Sequence, residues 1–275
     1  MKVRRPRRIR PARRTARESL RRGIFLLPSL FTVGNMLCGF ASVLHAMDGR
    51  LAKAAWLIIL AGVLDGLDGR IARLTNSSSD FGKEYDSLAD VVSFGVAPGI
   101  LAYQWCLHGM GRWGWAVAFL FLVAGSVRLA RFNVHAHDGD RRFFTGLPIP
   151  AGAGSVTMMV LVAPDPVAGR LEVALVWAFV FVVSVLMVST VPYRSFKDFD
   201  MRQRWPATAF FVFALILAVL VVSPLPVMAF LAAAYLVSGP LELAVGLVRR
   251  TRDIRPKEDL EGSGAAAPPV HTDHS

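Results

Sequence analysis

The sequence predicts an all-α, polytopic membrane protein: a bundle of about eight transmembrane helices with the N- and C-termini cytoplasmic. Three observations carry this reading. Apolar residues make up 54% of the 275 positions and mean hydropathy is +0.46, well above the range of a soluble domain of this length. The apolar residues fall in long runs, and a hydrocarbon core takes about 20 residues per helix. Lysine and arginine gather on alternate connections, and so on one side of the bundle.

The runs place segments at 25–47, 51–73, 86–107, 113–133, 149–164, 171–192, 206–223 and 226–248, the fifth being the shortest. Short connections favour helices that neighbour one another in sequence. With the N-terminus cytoplasmic, the inside connections carry Arg70, Arg73, Lys83, Arg128, Arg131, Arg141, Arg142, Arg194, Lys197, Arg202 and Arg204. The outside connections carry only Arg50, Lys53, Arg112 and Arg170. That asymmetry supports the even number of spans and the orientation.

The chain divides into a basic cytoplasmic arm at 1–22, a transmembrane domain at 23–250 and a tail at 251–275. The arm holds Lys2, Arg4, Arg5, Arg7, Arg8, Arg10, Arg13, Arg14, Arg17, Arg21 and Arg22 against Glu18 alone. An apolar run follows it directly, so the arm reads as facing anionic lipid rather than nucleic acid. Pro28 and Asn35 interrupt that run and no small-x-small site follows it, which argues against a cleaved signal peptide. The tail is polar, with Gly, Ala and Pro clustered at 262–269, and is expected to be disordered. Cys38 and Cys106 sit in apolar runs without ligand spacing and read as packing residues.

One stretch breaks the apolar pattern. Asp65 and Asp68 are spaced i, i+3 at the inner end of the second segment. Asp86 and Asp90 are spaced i, i+4 at the inner start of the third. Each spacing puts its two carboxylates on one helix face, and antiparallel neighbours can aim all four at one place. Each charge at a bilayer edge costs a few kcal/mol, and close like charges oppose one another. Divalent cations remove both problems. All-oxygen donors with no His or Cys suit Mg²⁺ or Mn²⁺ rather than zinc. Gly66, Gly69 and Ala72 clear bulk beside the acids, either for a ligand such as a nucleotide or for close helix packing. Arg73 can meet a phosphate or anchor the helix at the interface.

The pattern D-x-x-D-G-x-x-A-R-x8-G-x3-D-x3-D is matched at each fixed position from Asp65 through Gly82 to Asp90. It resembles the signature of the CDP-alcohol phosphotransferases. The resemblance implies two metal ions, Mg²⁺ or Mn²⁺, held by Asp65, Asp68, Asp86 and Asp90. It implies transfer of a phosphatidyl group from a CDP-lipid to an alcohol with release of CMP. It assigns Asp90 a second role as general base, and it makes Gly69, Arg73 and Ser79 contacts to the CDP moiety, with Ala72 beside them. It also implies a homodimer, and the Lys and Arg count places the site at the cytoplasmic face of the cell (inner) membrane.

Three further stretches are similar to the serine-using branch of that family: Val92–Pro98, Gly125–Asn133 and Thr145–Pro150. The expected substrates are therefore CDP-diacylglycerol and L-serine. Arg128 and Arg131 can receive a carboxylate bidentately. Asn133 and Thr145 can hydrogen-bond the acceptor. His135 and His137 read as solvated loop residues. Ser29, Thr32 and Asn35 form a polar stripe on the first segment. Thr32 and Asn35 are the candidates there for the CDP-lipid, since Ser29 stands where the family often has Asn. Glycerol 3-phosphate or inositol phosphate as acceptor is the sister reading, and a cation transporter is a third. Transport sites lie near the bilayer midplane, whereas these acids sit at helix ends.

Overall fold

The computed structural model describes residues 16–75, 80–135, 143–167, 169–194 and 222–253, with positions 211, 214, 218 and 219 between the last two. The helices are α1 (Ala16–Met47), α2 (Leu51–Thr75), α3 (Asp80–Asp90), α4 (Ala97–Trp105), α5 (Arg112–His135), α6 (Ile149–Val162), α7 (Arg170–Val188) and α8 (Pro224–Asp253). Residues 1–15 of the basic arm, most of the expected seventh segment and the tail beyond Asp253 lie outside the described residues.

Four of these helices are long and apolar enough to cross a membrane: Leu30–Met47, Arg112–Val134, Arg170–Val188 and Pro224–Val245. The α2 helix has the length, at 25 residues, but carries Asp65, Asp68, Arg70 and Arg73 near its end. The α6 helix is apolar but only 14 residues long.

Helix α1 lies along α2. Small side chains at Ala46, Ala54, Ala55 and Ala61 are fully buried there, and Ser42 donates to the Ala54 carbonyl at 2.8 Å. Small residues let two backbones approach closely in an apolar medium.

The expected third segment is one rod made of three pieces. Between α3 and α4 the chain forms a π-helical turn, Val91–Val96, directly after Asp90. The backbone stays right-handed helical at Asp90 (φ −61, ψ −40) and Ala97 (φ −61, ψ −50), so the rod is continuous. A π turn takes one extra residue and re-aims the side chains beyond it. Here it turns Ser93 toward α1, where its hydroxyl donates to the Asn35 carbonyl at 2.9 Å.

Two short strands depart from the all-helical expectation. Phe143–Thr145 (β1) pairs antiparallel with Pro192–Arg194 (β2), with Phe144 opposite Tyr193. Thr145, a candidate to hydrogen-bond the acceptor, lies at the end of β1. The turn from β1 into α6 needs Gly146, at φ 82, because a Cβ there would lie 2.4 Å from the Met187 carbonyl oxygen. Only glycine adopts that backbone without strain.

Tyr193 of β2 is fully buried and joins the ribbon to α8. Pro240 has no N–H to give the carbonyl four residues earlier, that of Leu236. The Tyr193 hydroxyl donates to that carbonyl instead, at 3.2 Å. The ring occupies the space a side chain at position 239 would need, since a Gly239 Cβ would lie 2.3 Å from it.

Candidate active site

The C-terminal end of α2 supplies Asp65 and Asp68, and α3 supplies Asp86 and Asp90. One carboxylate oxygen each from Asp65, Asp86 and Asp90 lies within 4.8 Å of the others. Asp68 adjoins them and is buried, with Oδ2 accepting from the Thr32 hydroxyl at 2.5 Å. At such separations each pair of charges repels by roughly 3–4 kcal/mol, taking an effective dielectric of about 20.

Hydrogen bonding leaves the group incomplete. Among the described residues, buried oxygens of Asp68 (Oδ1), Asp86 (Oδ1) and Asn35 (Oδ1) have no donor. A buried acceptor without a partner costs about 1–3 kcal/mol, more when it is charged. Repelling carboxylates with unmet lone pairs, all hard oxygen donors, fit a Mg²⁺- or Mn²⁺-like cation.

Helix α1 forms the second wall. Thr32 and Asn35 are both buried and point at the acids: Thr32 bonds Asp68, and Asn35 Nδ2 donates to Asp90 Oδ1 at 3.4 Å. The polar stripe of α1 thus meets the aspartates directly. Gly66 and Gly69 face open space, for a Cβ at either would meet nothing within 4 Å. Among the described residues, no neighbouring helix packs where either Cβ would stand. Gly69→Ala is expected to leave thermal stability unchanged or raise it by up to about 1 kcal/mol. Turnover is expected to fall about tenfold or more as the methyl enters the ligand space. Thermal unfolding and CMP release measured on the same preparation check both halves.

The remaining candidates divide. Arg128 of α5 is buried, stacks over the Phe132 ring at 5.6 Å and is an electrostatic neighbour of Asp90. Arg131 donates to the Val188 carbonyl at 2.9 Å, which ties α5 to the end of α7. Asn133 donates to the Ser87 hydroxyl at 2.9 Å, so it braces α3 between Asp86 and Asp90. Ala72 and Arg73 belong to α2, but their side chains lie outside the described residues, as do Ser79, His137 and the side chain of His135.

Sequence reasoning missed Ser87 and Ser93. A serine inside a helical run carries no spacing signal, and its partners come from distant segments. An apolar cavity of about 730 Å³ between α6, α7 and α8 is lined by Trp105, at the far end of the rod that begins with α3. It is separate from the aspartates.

Comparison with known proteins agrees with this geometry. The family model for CDP-alcohol phosphatidyltransferase matches residues 25–188, a span that contains all four aspartates and Arg128. The chain is 39% identical over 218 residues to the CDP-diacylglycerol–serine O-phosphatidyltransferase of Helicobacter pylori, covering 78% of this chain and 90% of that protein. It is 37% identical over 216 residues to the enzyme of the same name from Mycobacterium tuberculosis, covering 74% of each. It is 39% identical over 169 residues to the archaetidylserine synthase of Methanothermobacter thermautotrophicus, covering 61% of this chain and 69% of that one. With its aspartates gathered at one helix end and the match running from α1 through α7, the chain belongs to the CDP-alcohol phosphatidyltransferase family.

Proposed function

We propose that this protein transfers the phosphatidyl group of CDP-diacylglycerol to L-serine and releases CMP. The observation that carries the reading is the convergence of Asp65, Asp86 and Asp90 within 4.8 Å beside the open space over Gly66 and Gly69. The relatives named for serine supply the acceptor.

Asp65, Asp68, Asp86 and Asp90 would hold two Mg²⁺ or Mn²⁺ ions, which supply charge neutralisation at the pyrophosphate and at the departing phosphate of CMP. Thr32 fixes the orientation of Asp68, and Asn35 that of Asp90. The CDP moiety is bound by Gly69, Arg73 and Ser79, with Ala72, as the family resemblance implies. Asp90 takes the proton from the serine hydroxyl as its oxygen bonds to the phosphorus that carries the diacylglycerol. The bond from that phosphorus to the CMP oxygen breaks, and CMP departs with the electron pair. Arg128, next to Asp90, receives the serine carboxylate. The roles of Arg131 and Asn133 are to hold α5 against α7 and α3, and through them the acceptor side.

A phosphorylated acceptor needs a denser basic pocket. The relatives named for serine favour that acceptor over glycerol 3-phosphate or inositol phosphate. The positive-inside count supports a multi-pass protein of the cell (inner) membrane with this site facing the cytoplasm, where serine and CMP exchange with water. The family resemblance supports a homodimer.

Purified protein is expected to release CMP from CDP-diacylglycerol when given L-serine with Mg²⁺ or Mn²⁺, and not when given glycerol 3-phosphate or inositol phosphate. CMP release driven by one of those phosphorylated acceptors in place of serine overturns the assignment.

A further inference from the structure

One buried acceptor on the wall of the site has no assigned partner. Asn35 of α1 is fully buried, and its amide lies against Asp90, with Nδ2 donating to Asp90 Oδ1 at 3.4 Å. The other end of that amide, Oδ1, has no donor among the described residues. Reversing the amide would set this oxygen against the carboxylate, and an ionised carboxylate only accepts. The unmet oxygen therefore stands one amide group away from the carboxylate oxygen of Asp90.

Its position is set from two sides. Ser93, brought to α1 by the π turn, donates to the Asn35 backbone carbonyl at 2.9 Å. It reaches that carbonyl because Gly39 has no side chain, where a Cβ would lie 2.5 Å from the Ser93 hydroxyl oxygen. The backbone of Asn35 is thus pinned by the rod, and its Nδ2 is held by Asp90. A buried acceptor fixed without a donor is costly to the fold. It suits a site that selects a substrate by a donor the substrate brings, since an analogue without that donor leaves the oxygen unpaired.

The chemistry of the donor can be narrowed. A Mg²⁺-like cation takes one or two carboxylates together with phosphate oxygens and water, and four aspartates already exceed that need. L-Serine carries three polar groups. In the proposed reaction its hydroxyl goes to Asp90 and its carboxylate to Arg128, which leaves the ammonium. An ammonium has three donors and no acceptor. It sits on the carbon next to the one that bears the hydroxyl, so a hydroxyl placed on Asp90 brings the ammonium within reach of Asn35.

We propose that Asn35 Oδ1 receives the ammonium of the acceptor, so that Asn35 selects an amino alcohol over a plain alcohol. The inference rests on the reading of serine as acceptor, with Asp90 at its hydroxyl. It moves Asn35 from the CDP-lipid, where the polar stripe of α1 suggested a role, to the acceptor side.

The test compares L-serine with 3-hydroxypropanoate, which keeps the hydroxyl and the carboxylate and lacks the amine. Parent protein is expected to prefer serine in kcat/KM for CMP release. Asn35→Ala is expected to lower that preference about tenfold or more, the scale of one hydrogen bond to a charged group. KM for CDP-diacylglycerol stays at the parent value. Loss of the bond to Asp90 lowers turnover with both acceptors alike, so only the change in preference reports the ammonium. Where 3-hydroxypropanoate turns over too slowly to fit, its inhibition constant against serine gives the same comparison. If Asn35→Ala does not fold, Asn35→Ser, whose shorter side chain withdraws the same oxygen, is read in the same way. A loss shared equally by the two acceptors gives the oxygen to the cation or the CDP-lipid and overturns the proposal. So does a parent protein that shows no preference for serine over 3-hydroxypropanoate. If serine drives CMP release and the preference is unmoved in the variant, the Asn35 proposal fails alone. If parent protein uses an acceptor without an amine in place of serine, the acceptor assignment fails and the Asn35 proposal with it.

Discussion

Asp90→Asn is expected to lower turnover about a thousandfold or more while the protein folds normally. Asparagine keeps the size of the side chain and removes the charge and the basicity, and a positioned base contributes about 10²- to 10⁴-fold. The fold has reason to tolerate the change. Asp90 is packed against Asp65 and Asp86, and removing one of three mutually repelling charges relieves strain in the protein without its cation. Parent protein is expected to gain thermal stability on adding Mg²⁺ or Mn²⁺, since a ligand that binds only the folded state raises its unfolding free energy. The variant loses most of that gain. CMP release and metal-dependent unfolding in detergent read the two effects separately. Undiminished turnover by folded Asp90→Asn sinks the mechanism.

The second large effect lies away from the chemistry. Gly39→Ala is expected to destabilise the protein by about 1–3 kcal/mol and to cut activity with it. A Cβ at Gly39 would sit 2.5 Å from the Ser93 hydroxyl oxygen and 2.7 Å from the Ser93 Cα. A side chain can rotate away, but a backbone atom cannot, so α1 must move off the π turn. That motion breaks the bond from Ser93 to the Asn35 carbonyl and pulls Thr32 and Asn35 from Asp68 and Asp90. Elsewhere in a helix, glycine to alanine stabilises by up to about 1 kcal/mol. The sign of the change therefore reports the contact, and a melting temperature at or above the parent's refutes it.

The four aspartates were legible because their spacing is helical and their charge is anomalous in an apolar chain. Helix positions were legible for the same reason: the run at 113–133 appears as Arg112–His135, and that at 149–164 as Ile149–Val162. Backbone detail was not. The hydropathy of Val91–Val96 is the same whether the turn is α or π, so the break after Asp90 left no trace. The run at 171–192 continues past Val188, but the chain turns extended at Ser189 (ψ 166) to pair with Phe143–Thr145. Pairing between distant short segments has no local signal. Arg131 and Asn133 were singled out by residue type and by their place at the end of the fourth segment, and neither signal names the distant segments that they bond. Arg131 bonds Val188, and Asn133 bonds Ser87.

The bond from Tyr193 to Leu236 spans 43 residues, and that has a consequence for biosynthesis. A ribosome adds about 5–20 residues per second, so Tyr193 emerges several seconds before its acceptor. For that interval Asp65, Asp68, Asp86 and Asp90 have already been made, as have both strands of the ribbon. The Tyr193 hydroxyl has no Leu236 carbonyl to meet until the turn before Pro240 is made.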